Sequence, residues 1–425
     1  MTAVAASTSS VAAKAASIRI SEWDIPPEPF GVWLHSYLQA FPAKSGIPLE
    51  ILLKNPGIPV TQEQDTWVAS GDVPDVFYRT GSGTATFAAY AVKKVIQPLT
   101  PFIDRDKFDI SDFWPDAIQQ LSGQGKLWVI PQDFNQAIWA YNVTMLQGAG
   151  VPLLPTSWTD TSWTWDRFLP AAQQIQQYLS QQDPAGKRFA FGRFGLTGNW
   201  EMWVWANGGK VISDDGKTLL LDQPAALEAL DYAAKLATNY HVAPLPTDKL
   251  ASTDALGVAK SQVAIDVLHA SGIGNLIRAN APNLDFDVTM MARGAGSYVA
   301  SGVGDGYVLS ASSRASDQAW ELVKYLGDPA YAQAKVTIGG GLGPRSSAAH
   351  QYFVQAGKAP AHAALYFDAA AHAHWEPNLT NWADIATALG KALAPVWAGK
   401  QTATEAVAGA KQSLQSLLQQ GQLFA

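Results

Sequence analysis

Three sets of residues in this chain could carry chemistry. Glu201, Asp133 and Asp305 are carboxylates set among aromatic and glycine-rich segments, the residue type a glycoside hydrolase places on either side of a glycosidic bond. No local pattern marks one as acid and another as base. His362, His372 and His374, with Asp368 among them, suggest zinc. However, His372 and His374 are two positions apart and would point to opposite sides of a helix. The His-Glu-x-x-His pattern and cysteine ligands are both absent, so solvated or core-edge histidines are the expectation. Asp104-Arg-Asp-Lys-Phe-Asp lacks the glycine and terminal glutamate of a calcium loop. No metal or cofactor is expected. Arg79 and Arg345 could clamp an anionic group bidentately. The run from Gly339 to Arg345 is glycine-rich but lacks the Gly-Lys-Ser/Thr ending of a nucleotide phosphate loop.

The aromatic residues point elsewhere. There are 16 Trp, and several adjoin amides or carboxylates: Trp23-Asp24, Asn199-Trp200-Glu201 and His374-Trp375-Glu376. Trp382 lies nearby. A flat indole beside polar groups suits a sugar ring, which has an apolar C–H face and a hydroxyl rim. The competing reading for any one Trp is core packing.

The elements that must position these residues follow from periodicity. Residues 127–130 and 137–141 are strand-like and flank Pro131 and a polar-aromatic insert, 132–136. Proline cannot donate to a ladder, so the chain is expected to leave the sheet there. Asp133, Phe134 and Asn135 would then lie at a strand end, where α/β folds bind ligands. Strands are expected at 18–23, 49–53 and 73–78, with a helix at 32–41 between the first two. This order implies a parallel, helix-covered sheet. Arg79, Thr80 and Ser82 follow its third strand. His269 follows a strand at 263–268, and Asp305 and Tyr307 belong to another at 303–310. A helix from Thr164 to about Ser180 is capped by Thr164 and Asp166. Further helices are expected from Asp222, over 316–326, and over the C-terminal stretch from Ala403 to Leu417. Crossings between two lobes are expected near 132–138, 304–310 and 345–358.

Composition sets the frame. At 425 residues the chain exceeds one small core. Hydrophobic residues make up 48% and charged residues only 15%. The net charge of −7 argues against nucleic acid and anionic membranes as partners. No window is long and apolar enough for a membrane helix. Residues 1–17 read as a disordered tail from which a signal segment has been cut, which fits an extracytoplasmic location (periplasm or cell-surface lipoprotein), or else as the frayed start of an intact cytoplasmic protein.

Gly125-Lys-Leu-Trp with Pro131 and Tyr141-Asn142, Thr164-Trp-Asp-Arg-Phe, Asn207-Gly-Gly and the glycine run to Arg345 occur in an order that resembles family 1 extracellular solute-binding proteins. These are the sugar-capturing receptors of ABC importers, the maltose-binding-protein-like group. The resemblance implies an α/β fold of two lobes, each a helix-flanked sheet, joined by a hinge. It implies one lobe from 18–134 plus 305–350 and a second from 135–304 plus 351–425. It implies a monomeric binding protein rather than an enzyme, closing on a sugar or oligosaccharide and delivering it to ABC importer membrane subunits. The implied ligand contacts are Trp23, Asp24, Arg79, Thr80, Ser82, Asp133, Phe134, Asn135, Trp200, Glu201, His269, Asp305, Tyr307, Arg345, Trp375 and Trp382. After His269 this sequence has Ala270-Ser271-Gly272 where relatives have Gly-x-Trp, so Trp375 or Trp382 is expected to compensate. A phosphorylated or acidic ligand held by Arg79 and Arg345 is the alternative, and a glycoside hydrolase the more distant one.

Overall fold

A computed structural model describes residues 17–22, 29–53, 58, 60–80, 86–183, 185–248, 256–375 and 377–424. Except for Ser17, the expected tail lies outside the described residues. Strand β1 (Ile18–Ser21), helix α1 (Pro29–Gln39), β2 (Leu49–Leu52) and β3 (Val76–Thr80) come first. β1 pairs in parallel with both β2 and β3, as the strand–helix–strand order implies. Four of the five β3 residues are buried, the pattern of a strand covered on both faces.

Helix α2 (Pro115–Gln120) leads toward β4 (Ile130–Asn142), a strand of 13 residues. The expected break at Pro131 does not occur. Pro131 faces Gly306 and Asp133 faces Asp305, with the register shifting between Asp305 and Gly306. Gln132 is the extra residue of this bulge, which falls where the proline lacks a donor. Gly306 is needed there: a Cβ would lie 1.9 Å from the Ile130 carbonyl oxygen. Asp133, Phe134 and Asn135 are therefore mid-strand residues.

The chain continues through α3 (Trp165–Gln182), β5 (Phe189–Phe191), α4 (Glu201–Ala206), α5 (Pro224–Thr238), β6 (Val263–His269), β7 (Phe286–Thr289) and β8 (Ala300–Ser310). Thr164 occupies the N-cap of α3 without a side-chain bond. The Trp165 N–H donates instead to the Arg293 carbonyl at 2.9 Å, so a neighbouring backbone replaces the expected cap. Helices α6 (Ser316–Leu326), α7 (Pro329–Ile338), α8 (Trp382–Trp397) and α9 (Ala403–Gln420) complete the fold. A capping box between Thr402 and Glu405 starts α9.

The main sheet runs β2-β1-β3-β8-β4-β6-β5. β8 is antiparallel to β3 and β4, and β4 is antiparallel to β6. Two cores form on this frame. The smaller gathers Ile18, Phe30, Phe77, Ile130, Tyr307 and Trp320. The larger gathers Trp139, Phe168, Phe191, Trp203 and the inner faces of α5, α8 and α9. The Trp139 ring lies 4.9 Å from both Phe168 and Phe191. β4 and β8 are long enough to serve both cores, so they form a two-stranded ribbon between them. The segment after α9 also returns: Phe424 joins the smaller core, 5.4 Å from Trp128 and 5.9 Å from Phe87.

Candidate functional site

Strands β1 and β3 end on one side of the ribbon's middle, and β6 ends on the other. Thr80 closes β3 opposite Asp305, which faces Asp133. His269 closes β6 opposite Ala137. The residues between, 133–136, are the floor shared by two sets of strand-end loops. This is where an α/β sheet places its ligand crevice.

Alternation along β4 gives the floor two unlike faces. Asp133 and Asn135 share the face turned to the strand-end loops. The Asn135 amide nitrogen donates to the Ser271 hydroxyl at 3.0 Å, and its carbonyl accepts the Ser271 N–H at 3.1 Å. Asp133 accepts from the N–H groups of Phe134 and Gly343, both at 2.8 Å. Its other oxygen lies 3.6 Å from Nζ of Lys335, in a pair that is almost fully buried. The Lys335 ammonium sits 4.0 Å from the centre of the Phe30 ring. Asp133 thus ties the loop after α7 to the ribbon, and its carboxylate is used internally rather than presented to a hydroxyl. At the same face Gly274, just past β6, meets the backbone of Gly339, which caps α7. A Cβ on Gly274 would lie 2.3 Å from the Gly339 oxygen. The two sides of the crevice are in direct contact there. Glu22 follows β1, fully buried, 3.6 Å from the His35 ring. Surrounding protein desolvates the His269 imidazole and lowers its pKa to about 4, so it is neutral near pH 7.

Phe134 and Gln136 share the other face. Phe134 is buried between Trp114, at 5.5 Å, and Trp375, at 5.4 Å. Gln136 is fully buried, and neither end of its carboxamide has a hydrogen-bond partner among the described residues.

A family model for bacterial extracellular solute-binding proteins matches residues 37–364. The chain belongs to that family. Among solved structures, this solute-binding protein resembles an ABC substrate-binding protein from Listeria monocytogenes in complex with cycloalternan. The TM-score is 0.82 at 20% identity, over 94% of this chain and 98% of the other. It also resembles an ABC transporter solute-binding protein from Thermotoga lettingae bound with α-D-tagatose, with TM-score 0.80, 21% identity and coverage of 96% and 100%. UgpB from Mycobacterium tuberculosis in complex with glycerophosphocholine matches with TM-score 0.77, 17% identity and coverage of 96% and 99%. The fold is therefore the two-lobe periplasmic-binding-protein type, each lobe a helix-flanked sheet joined by a hinge. The described residues contain no helix long and apolar enough to cross a membrane.

The expected contacts divide into four groups. Thr80, Asp133, Asn135, His269 and Asp305 gather at the strand ends. Glu201, Trp375 and Trp382 line a different groove, behind the β4–β8 ribbon. Others belong to the interior. Arg79 donates to the Gln64 side chain and the Thr86 carbonyl and lies 3.9 Å from the Tyr90 ring. Its burial lowers its pKa to about 10. Arg345 donates to the carbonyls of Gly327 and Asp109 and lies 4.5 Å from the Phe113 ring. Neither guanidinium is presented as an anion clamp. Phe134 and Tyr307 are core residues, the latter beside Tyr78, and Trp200 is 7% exposed within the larger core. Trp23, Asp24 and Ser82 lie outside the described residues. The histidines go to separate places: His362 pairs with Asp287 at 2.6 Å, His372 stacks on Trp158 and His374 on Trp205. No sequence signal marked Lys335, a lone lysine in an alanine-rich helix that meets an aspartate 202 positions away. Gln136 lay within the named insert but carried no mark of its own.

Proposed function

We propose that this solute-binding protein captures a neutral sugar or oligosaccharide in the strand-end cleft and delivers it to the membrane subunits of an ABC importer. The observation that carries the reading is the chemistry of the cleft. Asn135, Ser271, Thr80 and neutral His269 gather there, with Glu22 and Asp305 buried beside them, while Arg79 and Arg345 point their charge into the interior. Hydroxyl groups can exchange hydrogen bonds with such side chains, whereas a phosphate would find no guanidinium presented to it among the described residues of the cleft. Sugar-bound relatives of the same fold support the same choice.

Ligand contacts both lobes only when they close, and that differential contact drives closure. The lobes divide as 18–134 plus 305–350 and 135–304 plus 351–425. The protein acts as an extracytoplasmic monomer, periplasmic or lipid-anchored, and binds without turnover. Titration calorimetry against neutral mono- and oligosaccharides and against glucose 6-phosphate tests this. Saturable binding of a neutral sugar, with a smaller scattering radius and no new products, is expected. Preference for the phosphate, or protein-dependent bond cleavage, would overturn it.

A further inference from the structure

Behind the β4–β8 ribbon, on the side opposite Asp133 and Asn135, lies a groove of 840 Å³. Its walls include Glu201, Trp205, Lys210, His374 and Trp375. A second cavity of 430 Å³ shares Gln119 and Trp375 with it and continues toward Gly123 and Phe424. Together they run from the larger core to the smaller one. Among the described residues, neither Glu22 after β1 nor the turn after β6 lines either cavity, and both cavities lie on the face of the ribbon opposite Asn135, so this groove is distinct from the strand-end cleft.

The exposure of its aromatic residues is the telling feature. Trp139 and Trp203 are completely buried and serve the core. Trp205 and Trp375 are only half-buried, and both turn surface into the groove. Glu201 stands one helical turn before Trp205, on the same side of α4. The His374 ring stacks on the Trp205 indole, centres 5.0 Å apart, so it backs one face and leaves the other for a ligand. A Lys210–Asp214 ion pair at 2.7 Å marks the rim. Partly exposed indoles beside a carboxylate and an amide match a sugar ring with an apolar face and a hydroxyl edge. The volume is that of a small-molecule site. Trp375 also covers the ribbon: a Cβ on Gly302 would lie 2.2 Å from its ring, and the ring touches Phe134.

We propose that this groove is a second saccharide site, in which a neutral oligosaccharide stacks on Trp205 and Trp375 and bonds Glu201 and Gln119. Because Trp375 rests on the β4–β8 ribbon, occupancy of the groove and of the cleft are linked, each changing the affinity of the other by the same factor.

Titration calorimetry and indole fluorescence with maltotriose, cellotriose and mannotriose, on the full chain, provide the test. Wild type is expected to bind at least one trisaccharide at a site that Trp205→Ala weakens tenfold or more and Glu201→Gln also weakens. Asn135→Ala should leave that site in place. Circular dichroism and the less disruptive Trp205→Phe control for folding. The absence of any Trp205- and Glu201-dependent binding up to millimolar trisaccharide overturns the groove site, whatever the cleft does. Binding that depends on Trp205 but is unaffected by Asn135→Ala, with no second site, leaves the groove standing and overturns the cleft reading instead.

Discussion

Backbone meets backbone at Gly274 and Gly339 beside Asp133, and one methyl group there should oppose closure of the proposed lobes. In Gly274→Ala the new carbon would sit 2.3 Å from the Gly339 oxygen and 2.5 Å from its Cα. Ordinary contact begins near 3.4 Å, so the two segments would have to separate by about 1 Å. Neither atom belongs to a flexible side chain that could swing away. Overpacking of this kind costs about 1–3 kcal/mol. Gly274 sits in a helical turn without positive φ, so alanine suits its local backbone and the strain falls on the closed arrangement. If ligand is held only between closed lobes, the cost appears in binding: about 5- to 150-fold in Kd. Calorimetry with the cognate sugar would measure it, alongside denaturant unfolding to show that the unliganded protein keeps its stability. Scattering should show a smaller ligand-induced compaction in the variant. Wild-type affinity with wild-type compaction would refute the claim that this contact limits closure.

The buried Asp133–Lys335 pair yields a second expectation. Lys335→Met leaves a carboxylate buried without its cation and should destabilise by about 3–5 kcal/mol, whereas adding Asp133→Asn should recover part of the loss; a double-mutant cycle in urea measures both. His269 predicts a pH dependence. Its folded pKa is depressed to about 4 while an unfolded histidine titrates near 6.5. The unfolded state therefore binds the proton first, so stability is full above about pH 6.5 and falls as pH drops toward 4, by roughly 3 kcal/mol at most. His269→Gln should flatten the unfolding free energy across that window, and an unchanged profile would remove His269 as the cause. Gln136→Leu replaces a carboxamide that has no partner among the described residues, so unfolding free energy should hold or rise, because a buried unsatisfied amide costs about 1–3 kcal/mol. A loss above about 1 kcal/mol would mean that Gln136 has a bound partner.

Much of the architecture was legible before any tertiary contact was known. Helical spacing located α1, α3, α5, α6 and α9, and β-branched runs located β1, β2, β3, β6 and β8, because both signals are local. The segment from Lys126 to Asn142 was legible as the crossing element, but its shape was not. Proline argued for a break, and the bulge opposite Gly306, 175 positions away, absorbed it. Arg79 and Arg345 show the same limit. A guanidinium after a strand or a glycine run is equally suited to an anion and to a ring of carbonyls, and only the packing of Gln64, Thr86, Gly327 and Asp109 decided between them.

Resemblance of ordered motifs implied the two-lobe class and the family, while the sequence by itself determined the order and type of many elements. These depend on spacing along the chain and on the need of each apolar face for a partner. Tertiary structure decided which face of the β4–β8 ribbon each residue serves. Alternation puts Asp133 with Asn135 and Phe134 with Gln136, but only the docking of Ser271, Lys335 and Trp375 determines which face meets the strand ends and which meets the rear groove. It also separated Trp203 from Trp205, two residues apart on one short helix. One fills the core and the other borders a groove, because burial is set by the elements that pack from outside and not by the residue's own neighbours.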